Sequence, residues 1–125
     1  MNATVKEWTA KADGDYRMAG RELKARNHPN YDGICFHAQQ CAEKLMKAAL
    51  IHQGTTPPKT HDLLGLNRLL VQACQGWGWP EQELRFLSHS AVTFRYPGES
   101  ASAADAARAF EICSRLRTKL LKILP

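Results

Sequence analysis

Apolar residues recur every three or four positions in five separate stretches of this chain, and proline, glycine or asparagine cuts the stretches apart. That period puts one side chain per turn on a common helical face, whereas a half-buried strand alternates every second residue. Val5, Trp8, Ala12, Tyr16, Ala19 and Leu23 predict a first helix from Thr4 to Arg26. Asn27-His28-Pro29-Asn30 stops it, because a proline disfavours helical geometry in the residue before it, and Asn30 is placed to cap the next helix. The second helix, Tyr31 to Gln53, carries Ile34, Ala38, Cys41, Leu45 and Ala48 on one side. Phe36, Met46, Leu50 and Ile51 widen that apolar face, which suits a central element or a dimer surface.

Gly54 and the pair Pro57-Pro58 end the second helix, since a glycine favours the C-terminal turn and prolines cannot continue the hydrogen bonding. Thr60 is the expected N-cap of a third helix through Cys74, with Leu63, Leu66, Leu70 and Ala73 inward and Asn67 toward the polar side. Pro80 with Glu81 and Glu83 starts a fourth helix, which runs to Thr93 with Leu84, Leu87 and Ala91 inward. The last helix begins after Ser100 or Ser102, where Ser102 and Asp105 have capping-box spacing, and its stripe runs from Ala106 to Leu124. Short connections and the absence of a strand pattern predict an all-α up-and-down bundle of four to five helices, with residues 1–125 forming a single domain.

Composition excludes several classes of function. A hydrophobic share of 44% against 23% charged residues is the balance of a packed globular chain, not a disordered one. The charged first turns lack the pattern of a secretory leader, and Lys47 interrupts the most apolar stretch, so the expectation is a cytoplasmic protein with no membrane span. Cys35, Cys41, Cys74 and Cys113 sit at apolar helical positions without a Cys-x-x-Cys pair, which fits buried free thiols and assigns no metal. The formal charge of +5 is concentrated toward the C-terminus at Arg108, Arg115, Arg117, Lys119 and Lys122. Those cations suit either an anionic partner or a solvated helix face.

Four groups of polar residues are candidates for chemistry. Arg95 offers a planar, permanently charged fork for phosphate oxygens and Tyr96 a ring for a base; the alternative pairs Arg95 with Glu43 or Asp62 and packs Tyr96 under the loop. His61, at the start of the third helix, can exchange a proton, and with Lys59 and the helix amides it can hold an anion; otherwise its ring bonds within the bundle. Gln40, Glu43 and Lys47 share one face of the second helix, either as the lining of a cleft or as a partly exposed ion pair. Trp77 and Trp79 either face unpaired bases or close the end of the core.

Taken in order, these residues resemble a known family. Trp8, Ala12, Asp15 and Ala19 are followed by Tyr31-x-x-x-Cys35-Phe36-x-Ala38-Gln39-Gln40-x-Ala42-Glu43-Lys44-x-x-Lys47-Ala48, then Lys59-Thr60-His61-Asp62-Leu63, then Arg95-Tyr96-Pro97. In type, order and spacing this set is similar to the HEPN family, from Trp8 to the last helix. The resemblance implies a helical bundle, a homodimer, and a place beside a small nucleotidyltransferase, in some cases as toxin and antitoxin. It also implies association with a nucleotide or RNA and no cofactor. Many similar proteins are metal-independent ribonucleases that use an arginine and a histidine separated by four to six residues near the start of the last helix. Arg95 stands at the arginine position, but Ser100, Ala101 and Ser102 occupy the places where the histidine would fall. The expectation is therefore a binding and partner module. The alternatives are a degenerate ribonuclease using Arg95 with His61 or His89, and a helical scaffold without a ligand.

Overall fold

The computed structural model describes residues 2–125 and contains, among them, five α-helices and no strand. They are α1 (Ala3–Leu23), α2 (Tyr31–His52), α3 (Leu63–Ala73), α4 (Glu81–Thr93) and α5 (Ala103–Ile123). The all-α up-and-down bundle expected from the sequence is the observed architecture, and α2 is the one helix that packs against all four others. Its central place explains its two-sided apolar surface: Ile34, Ala38, Cys41, Leu45, Met46, Ala49 and Leu50 are all fully buried. Leu63, Leu66, Leu70, Leu84, Leu87, Ile112, Leu116 and Leu120 close around it from α3, α4 and α5. Truncating any one of these leucines costs about 2–5 kcal/mol in lost burial and residual cavity.

Local chemistry sets most of the helix ends. The Asn30 side chain accepts from Gly33 N at 2.8 Å, capping α2. At the other end Thr55 N donates to Leu50 O and Gly54 N to Ile51 O, with Gly54 at φ 85°, the left-handed closure that glycine adopts at least cost. Ser102 and Asp105 form the reciprocal capping box at the start of α5. The loop before α5 is tied down as well, because Ala101 N donates to Asp32 Oδ1 at 2.7 Å and so draws the Arg95 segment toward the first turn of α2.

Three expectations are corrected. The first helix ends at Leu23 and not Arg26, because Lys24 and Ala25 turn back onto Arg21 O and Glu22 O ahead of the Pro29 break. The third starts at Leu63, with Asp62 and not Thr60 as N-cap: the Asp62 carboxylate accepts from Leu64 N at 3.1 Å, while Thr60 Oγ1 accepts from Asp62 N. A carboxylate opposes the positive end of the helix dipole better than a hydroxyl. Asn67 is buried, not on the polar side, because its carbonyl accepts the Trp77 indole N–H at 2.8 Å. Trp77 therefore closes the end of the core, with Lys119 over its ring and Trp79 stacked beside it.

All four cysteines are free, and Cys35, Cys41 and Cys113 are buried. Among the described residues, no helix is long and apolar enough to cross a membrane.

Candidate functional site

The polar residues of α2 that face neither the core nor open solvent are placed by helical spacing. Phe36, Gln39, Gln40 and Glu43 fall within two turns on one side, opposite the α2–α3 loop and the end of α4. Phe36, Gln39 and Gln40 line a cleft of about 290 Å³, whose remaining walls are His61, Ser88, Val92 and Arg95. Chain segments far apart in sequence thus meet at one place because α2 is their common floor.

Glu43 lies beneath the cleft, 4% exposed. Its Oε1 accepts from Gln39 Nε2 at 3.1 Å and pairs with His61 Nδ1 at 2.9 Å, while Oε2 accepts from Lys47 Nζ at 3.1 Å. Burial alone would push the Glu43 carboxyl upward. Hydrogen bonds from Gln39, His61 and Lys47, with the charge of Lys47, outweigh it and hold the carboxyl below its ordinary value. An ionised carboxylate only accepts hydrogen bonds, so His61 Nδ1 is the donor, and in the neutral ring the proton-free nitrogen is Nε2. That ring is 85% exposed, which leaves Nε2 open to a ligand.

His61 stands in the loop before α3, not inside the helix as its sequence position suggests. The amides it was expected to share with Lys59 are partly taken by the Asp62 cap. Lys59 is exposed and makes no hydrogen bond or ion pair among the described residues. Lys47 is buried under the site, not at its mouth, with its ammonium over the Trp8 ring at 5.5 Å. The Glu43–Lys47 pair is therefore a buried foundation and not the partly exposed pair that spacing suggests.

Arg95 pairs with neither Glu43 nor Asp62. Its guanidinium lies over the Phe36 ring, 5.2 Å from the ring centre, and among the described residues it meets no carboxylate. A cation–π contact of this kind leaves the N–H fork of the guanidinium unspent. Tyr96 is 64% exposed and does not pack under its loop. His89 is exposed on α4 and bonds to Thr93 Oγ1 at 3.2 Å, and it takes no part in the cleft wall.

Phe36, Gln39, Ser88 and Val92 complete the cleft, although the sequence alone does not single them out for it. Gln39 carries a signal, standing four residues before Glu43 on the same face. Ser88 carries none, and its buried hydroxyl has no hydrogen-bond partner among the described residues. A cation, an amide and a hydroxyl thus gather around an apolar ring as donors suited to phosphate oxygens, with the proton-free Nε2 of His61 beside them as an acceptor.

Comparison with known proteins places this geometry in a family. No curated protein matches the sequence closely enough to count as a relative. Among solved structures, TT1696 from Thermus thermophilus is similar with a TM-score of 0.76 at 20% identity, covering 96% of this chain and 98% of that one. ST0689, an archaeal HEPN homologue, is similar with a TM-score of 0.68 at 21% identity, over 94% of this chain and 95% of that one. At such identities these likenesses establish the fold. The HEPN domain family model matches residues 5–124, nearly the whole chain, and on that match the protein belongs to the HEPN domain family.

Proposed function

We propose that this HEPN bundle is a nucleotide- or RNA-binding module that takes a phosphate group in the cleft beside Arg95 and works with a small nucleotidyltransferase, in a toxin–antitoxin pair. The observation that carries the binding reading is the placement of the Arg95 guanidinium over the Phe36 ring in the cleft that also holds His61. A guanidinium without a carboxylate partner among the described residues, placed over an aromatic ring, is matched to a phosphate next to a base. The nucleotidyltransferase partner and the homodimer both come from the family resemblance of the motif set. Titration with ATP and with a short single-stranded RNA tests the ligand, with Arg95→Ala as the comparison. Pull-down with a neighbouring nucleotidyltransferase tests the partner. Failure of all three to bind leaves the fold alone standing.

The Glu43–His61 pair favours a second reading, a metal-independent ribonuclease. In that chemistry His61 Nε2 takes the proton of a ribose 2′-hydroxyl, whose oxygen attacks the adjacent phosphorus. The 5′-oxygen leaves with a proton from solvent, giving a 2′,3′-cyclic phosphate, and Arg95 offsets the charge that builds on the phosphoryl oxygens. His61 replaces His89 as the candidate base because His61 lines the cleft and His89 does not. Sustained cleavage that vanishes in both His61→Ala and Arg95→Ala supports this reading, and cleavage unchanged in either assigns the activity to a contaminant.

A further inference from the structure

A second concavity, about 420 Å³, lies between α1 and α5. α1 packs closely along α2 but touches α5 only locally, so the two helices diverge and leave a groove. Its floor is Gly20, Leu23 and Phe110, and its rim is Arg17, Arg21 and Lys24. These three cations stand at helical spacing along α1, are exposed, and pair with no carboxylate among the described residues. By contrast Arg115 and Arg117, on the neighbouring surface of α5, are both matched by acids of the chain itself, Glu83 and Asp13 among them.

The Tyr16 ring of the groove does not offer a free face for stacking. Phe110 stacks on Tyr16 with ring centres 5.1 Å apart, and the Arg117 guanidinium lies over Tyr16 at 4.5 Å. Phe110 and Arg117 are two turns apart on α5, about 10.5 Å, so the Tyr16 ring is wedged between them with both faces covered. Its hydroxyl is also taken, 2.9 Å from Ser114 Oγ. What borders the groove is the far rim of Phe110, because a Cβ built on Gly20 would lie 3.5 Å from Phe110 Cζ. That contact is ordinary, so the fold itself would accept alanine at position 20, and glycine there keeps the groove open.

We propose that this groove docks an acidic amphipathic helix of a partner protein, with an apolar side chain seated on Gly20 and Phe110 and carboxylates paired with Arg17, Arg21 and Lys24. Each alternative occupant meets an obstacle on this face. A nucleic acid strand draws most of its affinity from phosphate contacts and would leave the apolar floor of Gly20, Leu23 and Phe110 without a partner. A second copy in symmetric contact would set the three unpaired cations against themselves, in a chain already at +5. An acidic helix meets both the apolar floor and the cationic rim.

The test uses the full chain and three probes: a synthetic amphipathic helical peptide with leucines on one face flanked by glutamates, the same peptide with lysines for glutamates, and an octamer of uridine RNA. The glutamate peptide binds, shifts the NMR signals of Gly20 and Phe110, and loses at least about tenfold in affinity in the double variant Arg17→Glu/Arg21→Glu. The pair Arg17→Lys/Arg21→Lys retains most of the binding. Gly20→Leu fills the groove and abolishes peptide binding, while nucleotide binding at the Arg95 cleft is unchanged, so the two sites fail independently. Circular dichroism establishes that each variant is folded. The proposal is overturned if the glutamate peptide does not bind, or if the lysine peptide binds equally well. It is also overturned if Gly20→Leu instead removes RNA binding or splits a dimer in sedimentation.

Discussion

Glu43 on α2 holds His61 by a 2.9 Å hydrogen bond across a loop, so the most exposed ring of the cleft is oriented by one of its most buried acids. The orientation of the imidazole is therefore a property of the folded core and not of the loop that carries it.

Removing the acid should be costly. Glu43→Leu leaves Lys47 buried without its counter-ion, and such a break destabilises a domain by roughly 3–5 kcal/mol. The double variant Glu43→Leu/Lys47→Met removes both charges and should recover most of that loss. Urea denaturation of the two variants beside the wild type measures it, and a double variant no more stable than the single one would refute the account.

The same carboxyl sets a pH dependence. Glu43 is held below the ordinary glutamate value of about 4.3, so its contribution to stability is fully present above that value and fades as pH falls through its lower folded value. The wild type should lose melting temperature more steeply than Glu43→Leu/Lys47→Met as pH drops below about 4. Parallel slopes in the two thermal melting series would contradict the assignment.

The Arg95 loop hangs on one side chain. Asp32→Ala removes the acceptor of Ala101 N, a charge-assisted hydrogen bond of 2.7 Å, and should cost about 1.5–3 kcal/mol. Because the bond also draws the loop toward Phe36, ligand affinity at the cleft should fall more than in Ser102→Ala, which removes only a helix cap. Equal affinity in the two variants would separate the loop anchor from the site.

Thiol chemistry should discriminate among the four cysteines. Burial first, then the charges of Asp105 and Asp32, pushes the Cys35 thiol up to about 12. Cys41 is raised as well, chiefly by its hydrogen bond with Cys113 and by burial. Thiolate is the reactive form, so an aromatic disulfide reagent at pH 8 should titrate Cys74 alone in the native protein and all four after denaturation. Fast reaction of a second thiol in the native state would show that the core opens at α2 or α5.

Much of the fold is legible because it is written in local rules. Asn30, Gly54, Pro80 and Ser102 punctuate the chain by short-range hydrogen bonding or ring geometry, and each lies at or next to an observed helix boundary. Thr60 and Asp62 are both good caps, and choosing between them takes the dipole argument that spacing does not settle. Periodicity misplaces Asn67 because its partner, Trp77, arrives from beyond the end of the helix. For the site, Arg95, His61 and Gln40 stand out in the sequence and do line one cleft. The Glu43–His61 bond is not readable there, since it closes across a turn whose path no periodicity encodes. Arg95 takes an aromatic partner in place of the carboxylate that the alternative reading gave it, because Phe36 lies on the side of α2 nearest the anchored loop.

The contact of α2 with every other helix bears on how the cleft can move. Backbone amides of such an element exchange with solvent only when the whole molecule unfolds, so the wall bearing Phe36 and Gln39 behaves as a fixed jaw. Adaptation to ligands of different size then falls to the slack of the two connecting segments that bring in His61 and Arg95, within the limits set by the Glu43–His61 and Asp32–Ala101 bonds. The range of shapes accepted is governed by the lengths of those segments, not by the helices.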